Sequence, residues 1–113
     1  MREIKFRAWD KKTKHLYPSD YFDRYKMYFM SELNTNLVLM QNTGLKDDSD
    51  PPREIYEGDI LKDHYGIYEV CFDDSQAAFC VKYVSSTGTN YLFNIAHLSK
   101  IIGNIYENPE LMI

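Results

Sequence analysis

The sequence lacks long apolar runs, an export signal and a cysteine framework, and each absence excludes a class of protein. No apolar run reaches the ~18 residues that a membrane-spanning helix needs, and the mean hydropathy is −0.49. The N-terminus has no apolar signal-peptide core. Cys71 and Cys80 are the only cysteines, too few for a disulfide scaffold or a zinc motif built from two cysteine pairs. We therefore expect a cytoplasmic protein with reduced thiols and no membrane contact.

The composition is that of one small folded domain. The chain has 113 residues, of which 44% are hydrophobic, 27% charged and 15% aromatic. This length supports a single core, and so much aromatic surface argues against disorder. The net charge is −4, with a basic excess in residues 1–26 and an acidic excess in residues 27–113. The basic segment would suit nucleic acid, but the acidic total favours two oppositely charged parts of one fold.

Short aromatic and β-branched runs between turn residues predict a mainly β protein. Residues 3–9 alternate as a half-buried strand, residues 10–14 form a turn, and residues 15–17 return as the hairpin partner until Pro18. Residues 19–33 fit either a helix or a strand, and we favour a loop that leads into a strand ending near Met30. Residues 37–40 predict a strand buried on both faces, which Thr43-Gly44 ends.

The segment 67–84 predicts a β-hairpin of defined register. Strands at 67–72 and 77–84 flank a tight turn, or a four-residue loop at 74–77 that keeps the same register. Opposed residue numbers then sum to 151, and a slip by one residue would exchange the faces of the strand. Each pair matches in character or opposes in charge, and such pairs contribute ~0.2–1 kcal/mol each. The pairs are Ile67 with Val84, Tyr68 with Tyr83, Glu69 with Lys82, Val70 with Val81, Cys71 with Cys80 and Phe72 with Phe79. The opposed cysteines are interpreted as reduced side chains, with a redox switch as the alternative.

The C-terminal segment predicts a closing strand after one helical turn. Residues 91–93 form a short strand, Asn94 caps a turn over 95–98, residues 100–106 form a strand bent at Gly103, and Pro109 ends the ordered part. The fold class is a small, strongly bent antiparallel sheet, or SH3-like barrel, with an N-terminal β-hairpin extension and one short helical turn. We expect one domain over residues 1–113, with N-terminal hairpins at 1–40, a connecting acidic loop at 41–56 and a barrel-like part at 57–113.

Few residues suggest catalysis. His64 with Asp59 and Asp63 comes nearest to a metal or acid–base cluster, but aspartates in turns commonly bond their own backbone. Glu57-Gly58-Asp59 suits a tight bend into a strand. The acidic segment 47–53 lacks the glycine and glutamate positions of a calcium-binding EF-hand loop and is interpreted as solvated. We expect no enzyme, no metal and no cofactor, and a metal-dependent enzyme is the weakest alternative.

Aromatic and basic residues suggest binding instead. Ten tyrosines exceed what one small core easily buries, because each phenol wants a polar partner. Trp9 is therefore a candidate anchor for a protein partner, which is the chain itself or another protein. The candidate nucleic-acid contacts are Lys5, Arg7, Lys11, Lys12 and Lys14.

Three blocks of sequence carry a resemblance to a known family. They are IKFRAWD at residues 4–10, TGLKD at 43–47 followed by EIYEGDI at 54–60, and IGNIYENPEL at 102–111. In this order they resemble the YopX family of phage and prophage proteins. The resemblance implies a compact β domain with an SH3-like barrel, encoded by a phage or prophage and placed in the bacterial cytoplasm. It implies no activity.

Together with the phage or prophage origin that the resemblance implies, these observations predict an accessory protein that acts by binding a phage or host protein or by self-association. A small-barrel nucleic-acid-binding protein is the main alternative.

Overall fold

The computed structural model describes residues 4–21, 24 and 36–113. The structure confirms a mainly β protein with a curled antiparallel sheet and a short helix. The assignment to an SH3-like barrel stays a prediction. The chain divides into two compact units, Met1–Asn42 and Thr43–Ile113. Most of the segment 19–33, including the strand predicted to end near Met30, lies outside the described residues. Residues 19–21 are described and are helical, so the predicted loop is wrong there.

The first unit is built on the predicted N-terminal hairpin. Strand β1 (Phe6–Asp10) pairs antiparallel with β2 (His15–Tyr17). The Asp10 carboxylate accepts hydrogen bonds from the backbone N–H groups of Lys12 and Thr13 at 2.9 and 3.2 Å. These bonds lower the pKa of Asp10, and the bond from the Thr13 N–H has the largest effect. An aspartate that closes its own turn in this way fixes the hairpin reversal.

Strand β3 (Leu37–Lys46) corrects the prediction of a short strand. It pairs with β1 over residues 37–41 and then runs on through Thr43 and Gly44. Gly44 has a φ of 82°, a backbone conformation that glycine adopts without strain. The strand therefore continues where the sequence suggested a break. Its predicted burial on both faces is also wrong, because Leu39 is exposed.

The second unit holds most of the strands that the structure describes. After β4 (Glu54–Tyr56), which lies beside β3, a curled antiparallel sheet forms with the strand order β8-β7-β6-β5-β9. Its strands are β5 (Asp59–Lys62), β6 (Ile67–Asp73), β7 (Ala78–Tyr83), β8 (Thr89–Tyr91) and β9 (Lys100–Asn104). Helix α1 (Leu92–Ile95) and a 3₁₀ turn (Ala96–Leu98) connect β8 to β9, and a second 3₁₀ turn (Pro109–Met112) follows β9.

The β6–β7 hairpin has the predicted register at every pair from Tyr68 with Tyr83 to Phe72 with Phe79. Ile67 and Val84 also meet, since the Val84 N–H donates to the Ile67 carbonyl at 2.9 Å. The loop is the four-residue alternative, residues 74–77, in which Ala77 has a φ of 52°. Side-chain complementarity across the two strands therefore sets this register, as the sequence predicts.

The core of this unit lies against one face of the hairpin. Tyr68, Val70 and Val81 project from β6 and β7 onto residues of α1 and its flanks. The remaining buried members of the cluster are Ile55, Leu61, Leu92, Ile95 and Ala96. Leu92 begins a helix, so the strand predicted over 91–93 is wrong beyond Tyr91, and Asn94 lies inside the helix rather than capping it.

Two further C-terminal predictions have different outcomes. The bend at Gly103 is confirmed, because Ile60 pairs with Gly103 and Leu61 pairs with Ile101, which leaves one extra residue in β9 as a bulge. Pro109 does not end the ordered part, since it opens the last 3₁₀ turn. Proline suits a first helical position because its missing N–H would have no partner there.

The acidic segment is shorter and more ordered than predicted. Residues 41–46 belong to β3 and residues 54–56 to β4, so only 47–53 remain as a loop within the predicted 41–56 connection. The Asp47 side chain accepts the Ile101 N–H at 3.0 Å, and the Arg53 guanidinium donates to the Ile101 carbonyl. Side chains of this loop thus satisfy backbone groups of β9 that a further strand would otherwise bind.

Candidate protein-binding surface

Two aromatic side chains stand out at the junction of β8 and α1. The rings of Tyr91 and Phe93 stack with centroids 5.7 Å apart and an interplanar angle of 21°. Their residues are 43% and 62% exposed, respectively. Exposed rings held against each other offer a large apolar contact area with few side-chain rotations to lose on binding.

Asn90 fixes the backbone that carries this aromatic pair. Its side-chain oxygen accepts the Tyr91 N–H at 2.8 Å and the Asn94 side-chain amide at 2.9 Å. The Tyr91 hydroxyl forms a further hydrogen bond with the Gln76 side chain in the β6–β7 loop. Tyr91 is therefore tied to two elements of the unit, and the pair is presented in a defined orientation.

A shallow depression adjoins Tyr91 on the outer face of the sheet. It encloses about 170 Å³ and is lined by Asp73, Gln76, Cys80, Thr89, Asn90 and Tyr91. The lining is mixed polar and apolar. Together with the aromatic pair, it forms a surface of the kind that a protein side chain occupies at an interface.

This surface was not predicted from the sequence, although the sequence contains a signal for it. Leu92, Ile95 and Ala96 are buried at the spacing of one helix face. That spacing places Phe93 off the buried face, so it faces outward. Treating 91–93 as a strand hid the pattern, because a short apolar run fits either structure.

Trp9 does not have the exposure that its predicted role requires. The residue is only 5% exposed in β1 and pairs in register with Leu16 and Val38. Trp9 was expected to be an exposed anchor, and that expectation is wrong because the residue is buried. Alternating residues of a strand differ in exposure only when one face is open, and in β1 both Ala8 and Trp9, on opposite faces, are buried. Its involvement in partner binding stays a prediction.

The five predicted basic contacts fall into two groups. Lys11, Lys12 and Lys14 are all exposed in the β1–β2 turn, where Lys14 has a φ of 60°. Lys5, just before β1, and Arg7, within it, are half-buried, and Arg7 Nη2 lies 3.7 Å from the Met40 sulfur. The turn thus brings three of the five ammonium and guanidinium groups together at its tip.

The candidate metal and acid–base residues do not all lie together, since Asp63 and His64 line one surface depression and Asp59 does not. Asp59 begins β5 and Asp63 follows its end, which separates them by ~13 Å at the rise of a strand. Asp59 is buried and accepts the Tyr56 N–H at 2.8 Å. Gly58 bends the chain there with a φ of 84°, which confirms the fold-making interpretation of Glu57-Gly58-Asp59.

Asp63 has local partners of its own. It accepts the N–H groups of Tyr65 and Gly66 and the hydroxyl of Tyr68 at 2.7 to 3.1 Å. Burial and the hydrogen bond with Asp63 raise the pKa of Tyr68. Within the described ranges, no three histidine, cysteine, aspartate or glutamate side chains come close enough to hold a metal ion.

Asp47 corrects the expectation of a fully solvated acidic loop. It is 4% exposed and lies 3.2 Å from Arg53 Nη2, while Asp48 and Asp50 are exposed as predicted. Burial alone would raise the pKa of Asp47. Hydrogen bonds from the backbones of Ile101 and Arg53, and from Ser49, outweigh burial and lower it to about 2.

The two cysteines face each other on the outer side of the hairpin. Their sulfur atoms lie 3.3 Å apart, and both are free thiols. Cys71 is half-buried and Cys80 buried. Burial, together with the hydrogen bond to Cys80, raises the pKa of Cys71 to about 12. The predicted opposition of the two cysteines is confirmed, and their reduced state in the cell stays a prediction.

Comparison with known proteins agrees with the small β architecture. The model of the YopX protein family matches residues 23–113, most of the chain. This protein belongs to the YopX family.

No curated protein matches the chain closely enough to count as a relative. Among solved structures, the chain is similar to protein EF1440 from Enterococcus faecalis, with 24% identity, a TM-score of 0.67 and complete coverage of both chains. That similarity shows a shared fold. In the part of the chain that the structure describes, no helix is long and apolar enough to cross a membrane.

Proposed function

We propose that this YopX-family chain is a phage- or prophage-encoded accessory protein that acts in the cytoplasm by binding another protein, without catalysis. The phage origin rests on the resemblance of its three sequence blocks to phage and prophage proteins. The binding role rests on one observation, the exposed and stacked pair of Tyr91 and Phe93. Water leaves both rings when an apolar partner surface covers them, which favours association.

The pair has the properties of an interaction anchor. Tyrosine is enriched among the residues that carry most of the binding energy at interfaces, and such residues sit beside small depressions. Here the rings are oriented by Asn90 and adjoin the depression next to Tyr91. In the edge strand β9, Asp47 and Arg53 already bind the backbone N–H and carbonyl of Ile101. Contact through side chains, rather than addition of a strand at β9, is therefore the mode that this proposal favours.

The test compares the wild-type protein with the double variant Tyr91→Ser/Phe93→Ser. The matched control is Tyr65→Ser, which removes an aromatic residue that is 89% exposed in a different loop. Sedimentation velocity measures self-association. Affinity capture from cells that carry the phage or prophage, quantified by mass spectrometry, measures binding to other proteins.

We expect the double variant to lose the oligomer, or the captured protein, that wild type and Tyr65→Ser retain. The loss should be at least tenfold if each ring contributes ~1 kcal/mol or more. Equal mass and equal capture by all three folded proteins would contradict the proposal. Circular dichroism and thermal melting establish that each variant is folded.

A second candidate, a nucleic-acid-binding role, is favoured by the cluster of Lys11, Lys12 and Lys14 in one exposed turn. Binding through such a cluster releases counterions, so affinity for DNA or RNA should fall steeply as salt increases. The variant Lys11→Gln/Lys12→Gln/Lys14→Gln should reduce that slope by about 3 for single charges on each lysine. Retention of neither DNA nor RNA at low salt by the wild-type protein would eliminate this candidate.

A further inference from the structure

The opposed cysteines of the β6–β7 hairpin support an inference that does not depend on the proposed binding role, although Cys80 also lines the depression beside Tyr91. Cys71 and Cys80 are direct partners in the register, and their sulfur atoms lie 3.3 Å apart. Directly opposed residues in antiparallel strands have Cα atoms ~4.5–5.5 Å apart, a separation that a disulfide bridges. The sulfurs therefore need to approach by a little over 1 Å to reach the ~2.05 Å bond length.

The location of the pair gives a reagent access to it. Cys71 is half-buried rather than enclosed, and a second shallow depression on the outer face is lined by both cysteines together with Asp73, Lys82 and Thr89. The core cluster packs on the opposite face of the hairpin. A small molecule can thus reach the Cys71 sulfur without opening the core.

We propose that Cys71 and Cys80 form a modification site at which a small organic disulfide oxidises the two thiols to a reversible cross-strand disulfide. In the first step, one protein thiol loses its proton to solvent and the thiolate attacks a sulfur of the reagent RS–SR. The reagent bond breaks, a mixed disulfide forms, and one RS⁻ leaves and takes up a proton. The second protein thiol then loses its proton and attacks the mixed disulfide, which forms the Cys71–Cys80 bond and releases the second RS⁻. Two cysteines are oxidised and one reagent disulfide is reduced to two thiols.

The register also explains why the bond would be reversible. The Val84 N–H donates to the Ile67 carbonyl, so these residues form a hydrogen-bonded pair, and alternation makes Cys71 and Cys80 a hydrogen-bonded pair as well. Cβ atoms are farther apart at such positions than at the intervening ones. A disulfide between Cβ atoms this far apart is strained and is therefore more readily reduced. Because the pKa of Cys71 is raised, little of its thiol is ionised at neutral pH, and thiol–disulfide exchange is slow at that pH.

The test treats the folded full-length protein with glutathione disulfide at mildly alkaline pH, without denaturant, and follows the intact mass. The expected product is monomeric and lighter than the reduced protein by two hydrogen atoms (about 2 Da), with both thiols lost to titration. Dithiothreitol should restore the original mass. The single variants Cys71→Ser and Cys80→Ser cannot form the bridge, and each should stop at one attached glutathione or remain unmodified.

Several results would overturn the proposal. These are a wild-type mass that stays unchanged, a product that carries two glutathiones, a disulfide-linked dimer as the main product, or a bridge that forms only in urea. Near-UV circular dichroism before and after treatment establishes that the bridged product retains the fold.

Discussion

At the residue scale, Asp47 shows how one carboxylate replaces part of a neighbouring strand. It accepts the N–H of Ile101 in β9 and that of Arg53 at the far end of its own loop. A charged acceptor with several donors is worth more than an ordinary hydrogen bond. Because Asp47 is buried, a substitution that removes its carboxylate leaves these N–H donors without an acceptor, and water reaches them poorly.

The substitution Asp47→Asn should lower the free energy of unfolding by about 2–3 kcal/mol, because the amide has one acceptor oxygen where the carboxylate has two. Urea denaturation at neutral pH measures the change. The matched control is Asp48→Asn, which alters the exposed neighbouring side chain and should change stability by less than about 0.5 kcal/mol. Equal effects of the two substitutions would contradict the role given to Asp47.

The acid dependence of stability supplies a second test of Asp47. Its pKa is lowered in the folded protein from 3.8 to about 2, so the stabilisation is present above about pH 4 and is lost as pH falls towards 2. The wild-type protein should lose about 2 kcal/mol more than Asp47→Asn over that range. Urea denaturation in a pH series measures the difference. Parallel curves for the two proteins would show that this carboxylate does not drive the acid dependence.

Gly103 presents a steric constraint in the bulge of β9. A Cβ atom added there would lie 2.4 Å from the Asn108 side-chain oxygen, which accepts the Asn104 N–H at 3.1 Å. Gly103→Ala should therefore destabilise the protein by about 1–3 kcal/mol, since Asn108 must give up that bond to move.

The control for Gly103 is Gly66→Ala, where an added Cβ meets nothing within 4 Å. Thermal and urea denaturation of both variants provide the comparison. A cost for Gly103→Ala no larger than that for Gly66→Ala would exclude the steric explanation.

At the scale of elements, the β6–β7 hairpin was predictable because its information is local. Each pair, such as Glu69 with Lys82, matches its partner only in one alignment, so the sequence determines the register before any other strand is placed. Strand β3 was not predictable in its full length. Its second half depends on Gly44 with φ 82° and on the bond from the Thr43 hydroxyl to the Ile55 carbonyl at 2.8 Å, a partner 12 residues away.

The burial of individual side chains was the least predictable part for the same reason. Asp47 resembles its exposed neighbours Asp48 and Asp50 in sequence, and its bonds with Ile101, Arg53 and Ser49 distinguish it. Trp9 had the residue type of an anchor but is buried. Residue type indicates what a side chain can bind, whereas exposure depends on contacts made elsewhere in the chain.

The hairpin can be tested through its terminal aromatic pair. The rings of Phe72 and Phe79 meet edge to face, with centroids 5.2 Å apart. A double-mutant cycle with Phe72→Ala and Phe79→Ala should give a coupling energy of about 0.5–1.5 kcal/mol by urea denaturation.

A cycle between Phe72 and Tyr65 is the matched control. Tyr65 precedes β6 and Phe72 lies near its far end, so the two are separated by ~20 Å along the strand. Their coupling should be near zero. A Phe72–Phe79 coupling that is also near zero would mean that the two rings do not stabilise the hairpin together.

At the scale of the whole molecule, the side chains proposed to bind a partner lie on the surface of the part of the chain that the structure describes. Asp59 and Asp63 serve turns at opposite ends of β5, while Tyr91 and Phe93 project outward beside a shallow depression. Family membership fixes the fold of this chain, and function has to be read from such sites. The proposed binding role rests on the exposed pair of Tyr91 and Phe93.

The proposed function places the contact with another protein at the stacked rings of Tyr91 and Phe93. The most direct measurement is capture from cells carrying the phage or prophage with wild type, Tyr91→Ser/Phe93→Ser and Tyr65→Ser, each also measured for mass by sedimentation. We expect wild type and Tyr65→Ser to share an assembly or a captured protein, and the double variant to form or capture at least tenfold less of it. An assembly and capture that are the same for all three folded proteins would contradict the proposed function.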